Sequence, residues 1–268
     1  LFSEKIMVKV GQLNSKDFPA NKKYAIPLSI TGASNYSLIP SQRSAILLLN
    51  RSILSSVAKV SGGEGIRIKP VGMHTKAEWT IQMSAIYSSL TRSNLTTAYL
   101  SNGTGGEFYT RISSTAGIQV KNGRDGDDTW TQIPLQAGKW LHITYVHKDK
   151  KTTVYVNGKV QKVFENSAIT FGENSMIVVG NSGYRNDYLR EIRLWDKALT
   201  ESEINDYLYL PMDPATPHLI SYLPLSKEME TKDLKAPAGT ENVTTKARIE
   251  YVENVKFPAD ELVIVNQE

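Results

Sequence analysis

Two short segments of the chain combine side chains that could bind a ligand. In the first, the acidic turn at 122–130, Asp125, Asp127 and Asp128 precede Trp130. Carboxylate and glycine carbonyl oxygens are the hard ligands that Ca²⁺ prefers, so the three aspartates are a candidate calcium site. The spacing lacks the pattern of an EF-hand loop, and a solvated acidic turn would explain the same residues.

The second segment, 180–187, contains Tyr184, Arg185, Asn186 and Asp187. Sugars stack their apolar faces on aromatic rings, while amide, guanidinium and carboxylate groups bond their hydroxyls. These residues supply that set, and Trp130 would add a stacking surface. The alternative is that Trp130 packs inward and the segment is an ordinary turn.

The sequence lacks the carboxylate pattern of a glycosidase. A retaining glycosidase needs two carboxylates about 5.5 Å apart, and on one strand they must share a face. The nearest pair is Glu191 and Asp196, whose odd separation points them to opposite faces. We expect Arg190 and Arg193 to pair with Glu191 as a surface ion-pair set at the end of a strand.

The histidines occupy no recognisable catalytic or metal-binding motif. His142 alternates within a strand pattern and is expected to be structural, His147 opens a charged turn, and His74 and His218 are isolated. The absence of cysteine excludes disulfides, thiolate metal sites and cysteine nucleophiles. We therefore predict that the protein is not an enzyme and needs no organic cofactor.

Composition narrows the class of protein further. The chain has 268 residues, 40% of them hydrophobic and 22% charged, which is ordinary for a globular protein. The formal net charge of +4 is spread along the chain rather than concentrated in a stripe, so nucleic acid is not an expected partner. No apolar run is long enough to cross a bilayer, so no membrane insertion is expected.

The elements that must hold these segments are predicted to be β-strands. From Ile53 onward, short apolar segments alternate with turns rich in Gly, Asn and Asp, which indicates an all-β sandwich or barrel. In 138–164, Asn157-Gly158 separates two strand segments and favours a type I′ turn. Three of the four tryptophans lie in apolar strand segments and are expected in the core: Trp79, Trp140 and Trp195.

One helix is predicted, over 201–208. Thr200 and Glu203 form a capping-box pattern, and Leu199 and Ile204 are placed as a hydrophobic staple around the same turn.

The ends of the chain carry weaker strand signals. Segments 6–10, 24–30 and 45–49 are too few to bury a core of their own. After 212, the sequence contains one strand signal at 219–223 and a last apolar stretch at 261–265. We therefore divide the chain into residues 1–51, a main domain at 52–225, and a C-terminal appendage at 226–268 that packs on the main domain.

Three motifs in order resemble the laminin-G-like, concanavalin-A-like jelly roll. They are Gly138-Lys-Trp-Leu-His-Ile-Thr-Tyr145, Thr153-Val-Tyr-Val-Asn-Gly-Lys159 and Leu189-Arg-Glu-Ile-Arg-Leu-Trp-Asp-Lys-Ala-Leu-Thr-Glu-Ser-Glu-Ile204. The resemblance covers about 53–225 and implies two antiparallel sheets in a β-sandwich, with ligand sites at its rim or concave face. Such domains often carry Ca²⁺ at the rim, which favours the aspartate site, and the fold alone does not select a function.

The segment 18–30 is similar to the end of an immunoglobulin-like domain found in surface lipoproteins of gut-type Gram-negative bacteria. Such domains often precede a glycan-related module. Together, the resemblances imply a non-catalytic carbohydrate-binding protein, secreted or on the extracellular face of the outer membrane, with a polysaccharide as its partner. The alternatives are a scaffold domain that holds a neighbouring surface protein and, third, a divergent glycoside hydrolase.

Overall fold

The chain consists of two compact units, Leu1–Ser52 and Ile53–Glu268. The computed structural model describes residues 9, 11, 17–18, 24–32, 34, 37, 39–49, 52–63, 65–72, 77–91, 96–99, 107–121, 129–165, 170–172, 174–180 and 184–266.

The first unit contains a two-stranded antiparallel sheet formed by β1 (Tyr24–Ser29) and β2 (Ser44–Leu49). Both strands lie where apolar segments predict them. The predicted strand at 6–10 falls outside the described residues except for Lys9.

The described residues of the second unit form short strands and one short α-helix. Its elements are β3 (Ile53–Gly62), β4 (Ile66–Ile68), β5 (Trp79–Ile86), β6 (Thr96–Tyr99), β7 (Glu107–Ser113), β8 (Gly117–Lys121), β9 (Trp140–Lys148), β10 (Lys151–Val156), β11 (Lys159–Glu165), β12 (Met176–Val179), β13 (Tyr184–Trp195), α1 (Glu201–Asp206), β14 (Leu219–Leu223), β15 (Val243–Thr244) and β16 (Arg248–Phe257).

The strands form two antiparallel sheets. The large sheet has the order β11-β10-β9-β5-β13-β3-β16, and β14 pairs with the second half of β13. The small sheet has the order β15-β4-β12-β6-β7-β8. Neighbours in each sheet are often far apart in sequence, as a concanavalin-A-like jelly roll requires, so the predicted all-β sandwich is confirmed.

The main core lies between the inner faces of the two sheets. Trp79 is fully buried there, and its indole meets the rings of Phe108 and Phe171 edge-on, with centroid separations of 5.1 and 5.0 Å. Alternate residues of each strand supply the rest of this core, because successive side chains point to opposite faces. Trp140 and Trp195 are also buried, so the predicted core positions of all three tryptophans are confirmed.

A second apolar cluster covers the outer face of the large sheet. Ile204 of α1 packs there with Val146, Trp195 and Tyr222. Thr200 caps the helix as predicted, since its hydroxyl accepts from the Glu203 backbone and the Glu203 carboxylate accepts from the Thr200 backbone. The helix ends at Asp206, two positions before the predicted end.

The turn between β10 and β11 has the conformation that its sequence favours. Asn157 and Gly158 have φ values of 51° and 75°, as a type I′ turn requires. A side chain at Gly158 would also collide with Asn205 of α1, whose amide donates to the Gly158 carbonyl at 3.2 Å. The hairpin is thereby joined to the helix.

The C-terminal residues belong to the sheets rather than lying on them as an appendage. β16 pairs with β3 from Arg248 opposite Ser61 to Phe257 opposite Ile53, and β15 pairs with β4. The last apolar stretch makes one isolated bridge, between Val255 and Ile264.

Candidate functional site

The outer face of the large sheet carries a buried ionic network. The Glu191 carboxylate accepts from Arg190 at 3.4 Å, from Arg193 Nε at 3.2 Å and from the Tyr222 hydroxyl at 3.0 Å. All four side chains are at most 4% exposed. The expected pairing is therefore present, but the expectation of a surface ion-pair set is wrong.

The network is buried because a segment of the chain crosses it. This strap, defined as residues 207–212, follows α1 directly. Arg193 donates to the carbonyls of Tyr207 and Leu210 at 3.0 and 2.6 Å, and Arg190 donates to that of Tyr209 at 2.8 Å. These charge-assisted bonds hold the strap against the sheet. Pro211 and Met212 of the strap line, together with Glu191 and Tyr222, a cleft of about 480 Å³.

Polar side chains beside the network are also bonded within the protein. Trp195 Nε1 donates to Gln82 Oε1 at 2.8 Å, and Ser84 lies 2.6 Å from His142 Nδ1. Burial, together with the nearby Arg190 and Arg193 guanidinium groups, lowers the pKa of His142 to about 3. His142 is therefore a neutral, structural residue of this face.

His147 does not open a turn, contrary to the expectation. It lies in β9, is 1% exposed, stacks on Trp79 with ring centroids 5.1 Å apart, and has Nδ1 3.0 Å from the Thr152 hydroxyl. Desolvation lowers its pKa to about 4. The turn itself is formed by Asp149 and Lys150, both with positive φ.

Residues 184–187 of the second segment are not an open loop, because β13 begins at Tyr184. Asp187 has no exposed surface, and its carboxylate accepts from the backbone and hydroxyl of Ser88 at 2.9 and 3.1 Å. The expectation that Asp187 lies in a loop and bonds the hydroxyl groups of a sugar is therefore wrong. Asn186 is exposed at a bulge with φ 59°, while the side chains of Tyr184 and Arg185 lie outside the described part of the chain.

The candidate calcium ligands Asp125, Asp127 and Asp128 also lie outside the described residues. Within the part of the chain that the structure describes, no group of three acidic or histidine side chains could hold a metal ion. The calcium site thus stays a prediction.

The outer face of the small sheet carries a different set of side chains. Phe108, Ile112, Ile118 and Val120 point inward, so the alternate residues of β7 and β8 point outward. The register aligns Tyr109 with Lys121 and Arg111 with Gln119, and Trp130 is bridged to Gln119. Because directly opposed residues share a face, these side chains form one group. We call it the aromatic–cation cluster: Tyr109, Arg111, Gln119, Lys121 and Trp130.

Backbone contacts place Trp130 beside β8. Thr131 donates to the Ile118 carbonyl at 2.9 Å, and its hydroxyl accepts from the Ile118 backbone at 3.0 Å. Gly117 permits this approach: its φ is 78°, and a Cβ there would lie 2.2 Å from the Thr131 hydroxyl. Lys162 of β11 donates to the Trp130 carbonyl at 2.8 Å from the large sheet.

Two cations flank the Tyr109 ring. The guanidinium carbon of Arg111 lies 5.5 Å from the ring centroid and the Lys121 ammonium lies 5.6 Å from it. Cations at this range are attracted to the face of an aromatic ring. Tyr109, Arg111 and Trp130 are half-buried, so their rings and charge stay partly accessible to a ligand.

Two buried polar atoms in the cluster have no hydrogen-bond partner: Arg111 Nε and Gln119 Oε1. Gln119 is 4% exposed and uses its amide NH₂ on the Thr129 hydroxyl at 2.8 Å. Buried polar groups in proteins almost always find a partner, and an unpaired one costs free energy.

The structure does not bring together the two segments singled out in the sequence. Trp130 lies against β11, whereas Tyr184–Asp187 belong to β13, four strands away, or about 19 Å at the usual strand spacing. Of the predicted ligand-binding residues, only Trp130 joins the cluster. The other members of the cluster were not predicted from the sequence. The alternation of polar and apolar residues in 107–112 and 117–121 could have indicated them, because it places Tyr109 on the same outward face as Arg111 and Lys121.

These features define a lectin-type antiparallel β-sandwich with an aromatic and polar outer face. The chain belongs to the laminin-G family of the concanavalin A-like lectin/glucanases superfamily, whose family profile matches residues 61–205. No curated protein matches the chain.

The chain is similar to several solved structures. A protein of Bacteroides ovatus named as a candidate carbohydrate-binding protein aligns over 92% of this chain and 72% of its own, with a TM-score of 0.59 and 18% identity. A pentraxin of Limulus polyphemus aligns over 75% and 94%, with a TM-score of 0.48 and 13% identity. A domain of a Geobacillus stearothermophilus arabinanase aligns over 68% and 86%, with a TM-score of 0.42 and 14% identity. None of the helices within the described residues has the length and apolar character needed to cross a bilayer.

Proposed function

We propose that the second unit is a non-catalytic carbohydrate-binding module whose glycan lies on the outer face of the small sheet. The observation that carries the proposal is the grouping of two partly accessible rings, Tyr109 and Trp130, with the partly accessible Arg111 side chain on one face of the small sheet. Aromatic rings accept the apolar faces of sugars, and a guanidinium and an amide oxygen bond their hydroxyls. The Bacteroides ovatus neighbour supports the class of ligand.

The environment of the buried carboxylates supports a role without catalysis. Glycoside hydrolysis needs two carboxylates that face each other across the sugar. Glu191 is bonded to Arg190, Arg193 and Tyr222, and Asp187 is bonded to Ser88. Both carboxylates are bonded within the fold, and Glu191 and Asp187 are 4% and 0% exposed.

The setting of the module follows from the resemblance of the first unit to surface domains. We propose that the protein acts outside the cell, secreted or on the extracellular face of the outer membrane, and that Asp125, Asp127 and Asp128 bind calcium. Shallow binding of this kind is weak at a single site, so repeated contacts along a polysaccharide would raise the avidity.

A second candidate function is protein–protein interaction through the first unit. Ile46 and Leu48 lie on one face of β2 and are 69% and 76% exposed, opposite Pro27 and Ala25 of β1. A two-stranded sheet with such an apolar face is marginally stable alone and is typical of an interaction surface. This role would coexist with glycan binding by the second unit.

Affinity electrophoresis on a panel of polysaccharides tests the proposal. Wild-type protein should be retained by at least one of them, and Tyr109→Ala and Trp130→Ala should each lose most of the retention, since a stacked ring contributes about 1 kcal/mol or more. Tyr209→Ala is the matched control, because it removes a half-buried ring from the strap on the opposite side of the sandwich. If no polysaccharide retained the wild-type protein, the proposal would be wrong. If all three variants lost the same amount of retention, the cluster would not be the binding site.

A further inference from the structure

We infer that the first unit joins two copies of this chain, edge to edge, through strand β2. The inference rests on the second candidate function and names its partner, and it does not depend on glycan binding by the second unit. It is carried by the outer edge of β2, which is open, uncharged and symmetric about Ile46.

The register shows which backbone groups of β2 point away from β1. The Ile30 N–H donates to the Arg43 carbonyl at 2.8 Å, so these residues form a hydrogen-bonded pair that continues the register of the two strands. In an antiparallel ladder, such pairs alternate with pairs that exchange no bonds. Ser44, Ile46 and Leu48 belong to the second kind of pair, and their N–H and C=O groups point to the outer edge of the sheet.

This outer edge of β2 is free to pair with another strand. Within the part of the chain that the structure describes, β2 pairs with β1 alone, and Ile46 and Leu48 are 69% and 76% exposed. The six residues of β2 include no charged residue, proline or glycine. Charged side chains on an edge strand oppose pairing with another chain, whereas an uncharged apolar edge favours it. The end strands of the large sheet carry such charges at Lys159, Lys162, Arg248 and Glu250.

The opposite edge of the hairpin, along β1, is blocked at its centre. Pro27 lies opposite Ile46, so its nitrogen faces the outer edge of β1, and proline has no N–H to donate there. A strand added to β1 would therefore lose a hydrogen bond that a strand added to β2 keeps. Two copies joined through β2 have Pro27 on both outer edges of a four-stranded sheet, so the assembly closes at two copies instead of growing into a filament.

Strand β2 is complementary to itself in the antiparallel direction. When Ile46 of each copy lies opposite Ile46 of the other, Ser44 of each copy lies opposite Leu48 of the other. All three outward-facing positions then form hydrogen-bonded pairs, and no charge meets a like charge. A two-stranded sheet is at best marginally stable alone, whereas three or more strands with an apolar face can be stable. A second copy supplies the strands that the hairpin lacks.

The oligomeric state of the full chain tests the inference. Size-exclusion chromatography with light scattering, at several protein concentrations, should give twice the mass of one chain. Ile46→Pro removes the donor at the centre of the open edge from both copies and should weaken the dimer by about tenfold or more. Ala25→Pro is the matched control, because Ala25 is also exposed and faces outward, but on β1, and this variant should leave the dimer intact.

A cross-link tests the register without a proline. The chain contains no cysteine, so Ile46→Cys introduces a single thiol in each copy. Directly opposed residues of a hydrogen-bonded pair have Cα atoms about 5.5 Å apart, a separation that a disulfide can span. Mild oxidation should therefore link two copies of Ile46→Cys, whereas Ala25→Cys should stay unlinked.

The outcomes separate this inference from the proposed function. A wild-type protein that is monomeric at every concentration would overturn the inference, while glycan binding, measured separately by affinity electrophoresis, would stand. A dimer that survives Ile46→Pro would also overturn it, as would a dimer that Ala25→Pro weakens equally, because the contact would then lie elsewhere than the edge of β2. Far-UV circular dichroism checks that each variant is folded, and Ile46→Cys provides the test if Ile46→Pro is not.

Discussion

The hydroxyl of Tyr222 donates to the carboxylate of Glu191 at 3.0 Å, and both side chains are buried beneath the strap. Burial, assisted by the nearby carboxylate, raises the pKa of Tyr222 well above its usual range, so this hydroxyl stays a donor. Desolvation lowers the pKa of Arg190, while the Glu191 charge acts in the opposite direction. Glu191 is thus the acceptor that holds two buried cations and the strap in place.

Replacing Glu191 with Gln should therefore destabilise the second unit strongly. The substitution leaves the Arg190 and Arg193 charges buried without a compensating carboxylate, which typically costs about 3–5 kcal/mol. Urea unfolding measures the loss. Glu250→Gln is the control, because its exposed pairing with Arg248 should contribute less than about 1 kcal/mol. Similar small losses in both variants would show that the buried network contributes little.

Substitutions at Asp187 and at its neighbour Asn186 should distinguish a structural role of residues 184–187 from a role in glycan binding. Asp187→Ala leaves the buried Ser88 donors short of an acceptor and should cost about 1–3 kcal/mol of stability without changing glycan affinity. Asn186→Gly keeps the positive φ of the bulge and should change neither quantity. If Asn186→Gly lowered affinity at unchanged stability, the ligand would lie at 184–187 instead of on the small sheet.

The two neutral histidines should make stability fall in mild acid. The folded pKa values of His142 and His147, about 3 and about 4, lie below the unfolded value near 6.5, so the unfolded chain binds more protons as pH drops. Their contribution is complete above about pH 6.5 and is lost as pH falls toward their folded pKa values, at up to about 1.4 kcal/mol per pH unit for each. Unfolding midpoints of His142→Gln/His147→Gln should depend less on pH in this window. An unchanged dependence would contradict the assignment.

Gly117→Ala should disturb the aromatic–cation cluster without touching a ligand contact. A Cβ at this position meets the Thr131 hydroxyl and the Ile133 carbonyl, and the positive φ adds backbone strain. We expect a loss of more than about 1 kcal/mol in stability and weaker glycan binding through displacement of Trp130. Gly138→Ala, which has a similar φ but open space around it, is the matched control. Intact affinity in a measurably destabilised Gly117→Ala would show that the position of Trp130 does not matter.

Calcium should stabilise the protein if the aspartate turn binds it. A cation bound only by the folded state adds RT ln(1 + [L]/Kd) to the free energy of unfolding and so raises the unfolding temperature as its concentration increases. Differential scanning fluorimetry with calcium, with magnesium and after EDTA treatment measures the shift, and Asp127→Asn should abolish it. If calcium did not change the unfolding midpoint of the wild-type protein, the proposed calcium site would be wrong.

Local signals in the sequence predicted local structure well. The Thr200 capping box, the Asn157-Gly158 turn and the strands around Trp140 depend on neighbours a few positions away, and the structure contains them all. Glu191 and His147 were misplaced because their burial depends on the strap and on Trp79, which are distant in sequence. The cluster was missed for the same reason: the alignment of Arg111 with Gln119 and Trp130 is a matter of register between strands.

The pairing of β3 with β16 has a consequence for how the second unit folds. β3 opens the unit, yet its partners in the large sheet, β13 and β16, are synthesised more than a hundred residues later. Contacts between such distant segments carry a loop-closure cost and slow the search for the native topology. The pairing of β3 with β16 can therefore be completed only after the residues up to Phe257 have been synthesised.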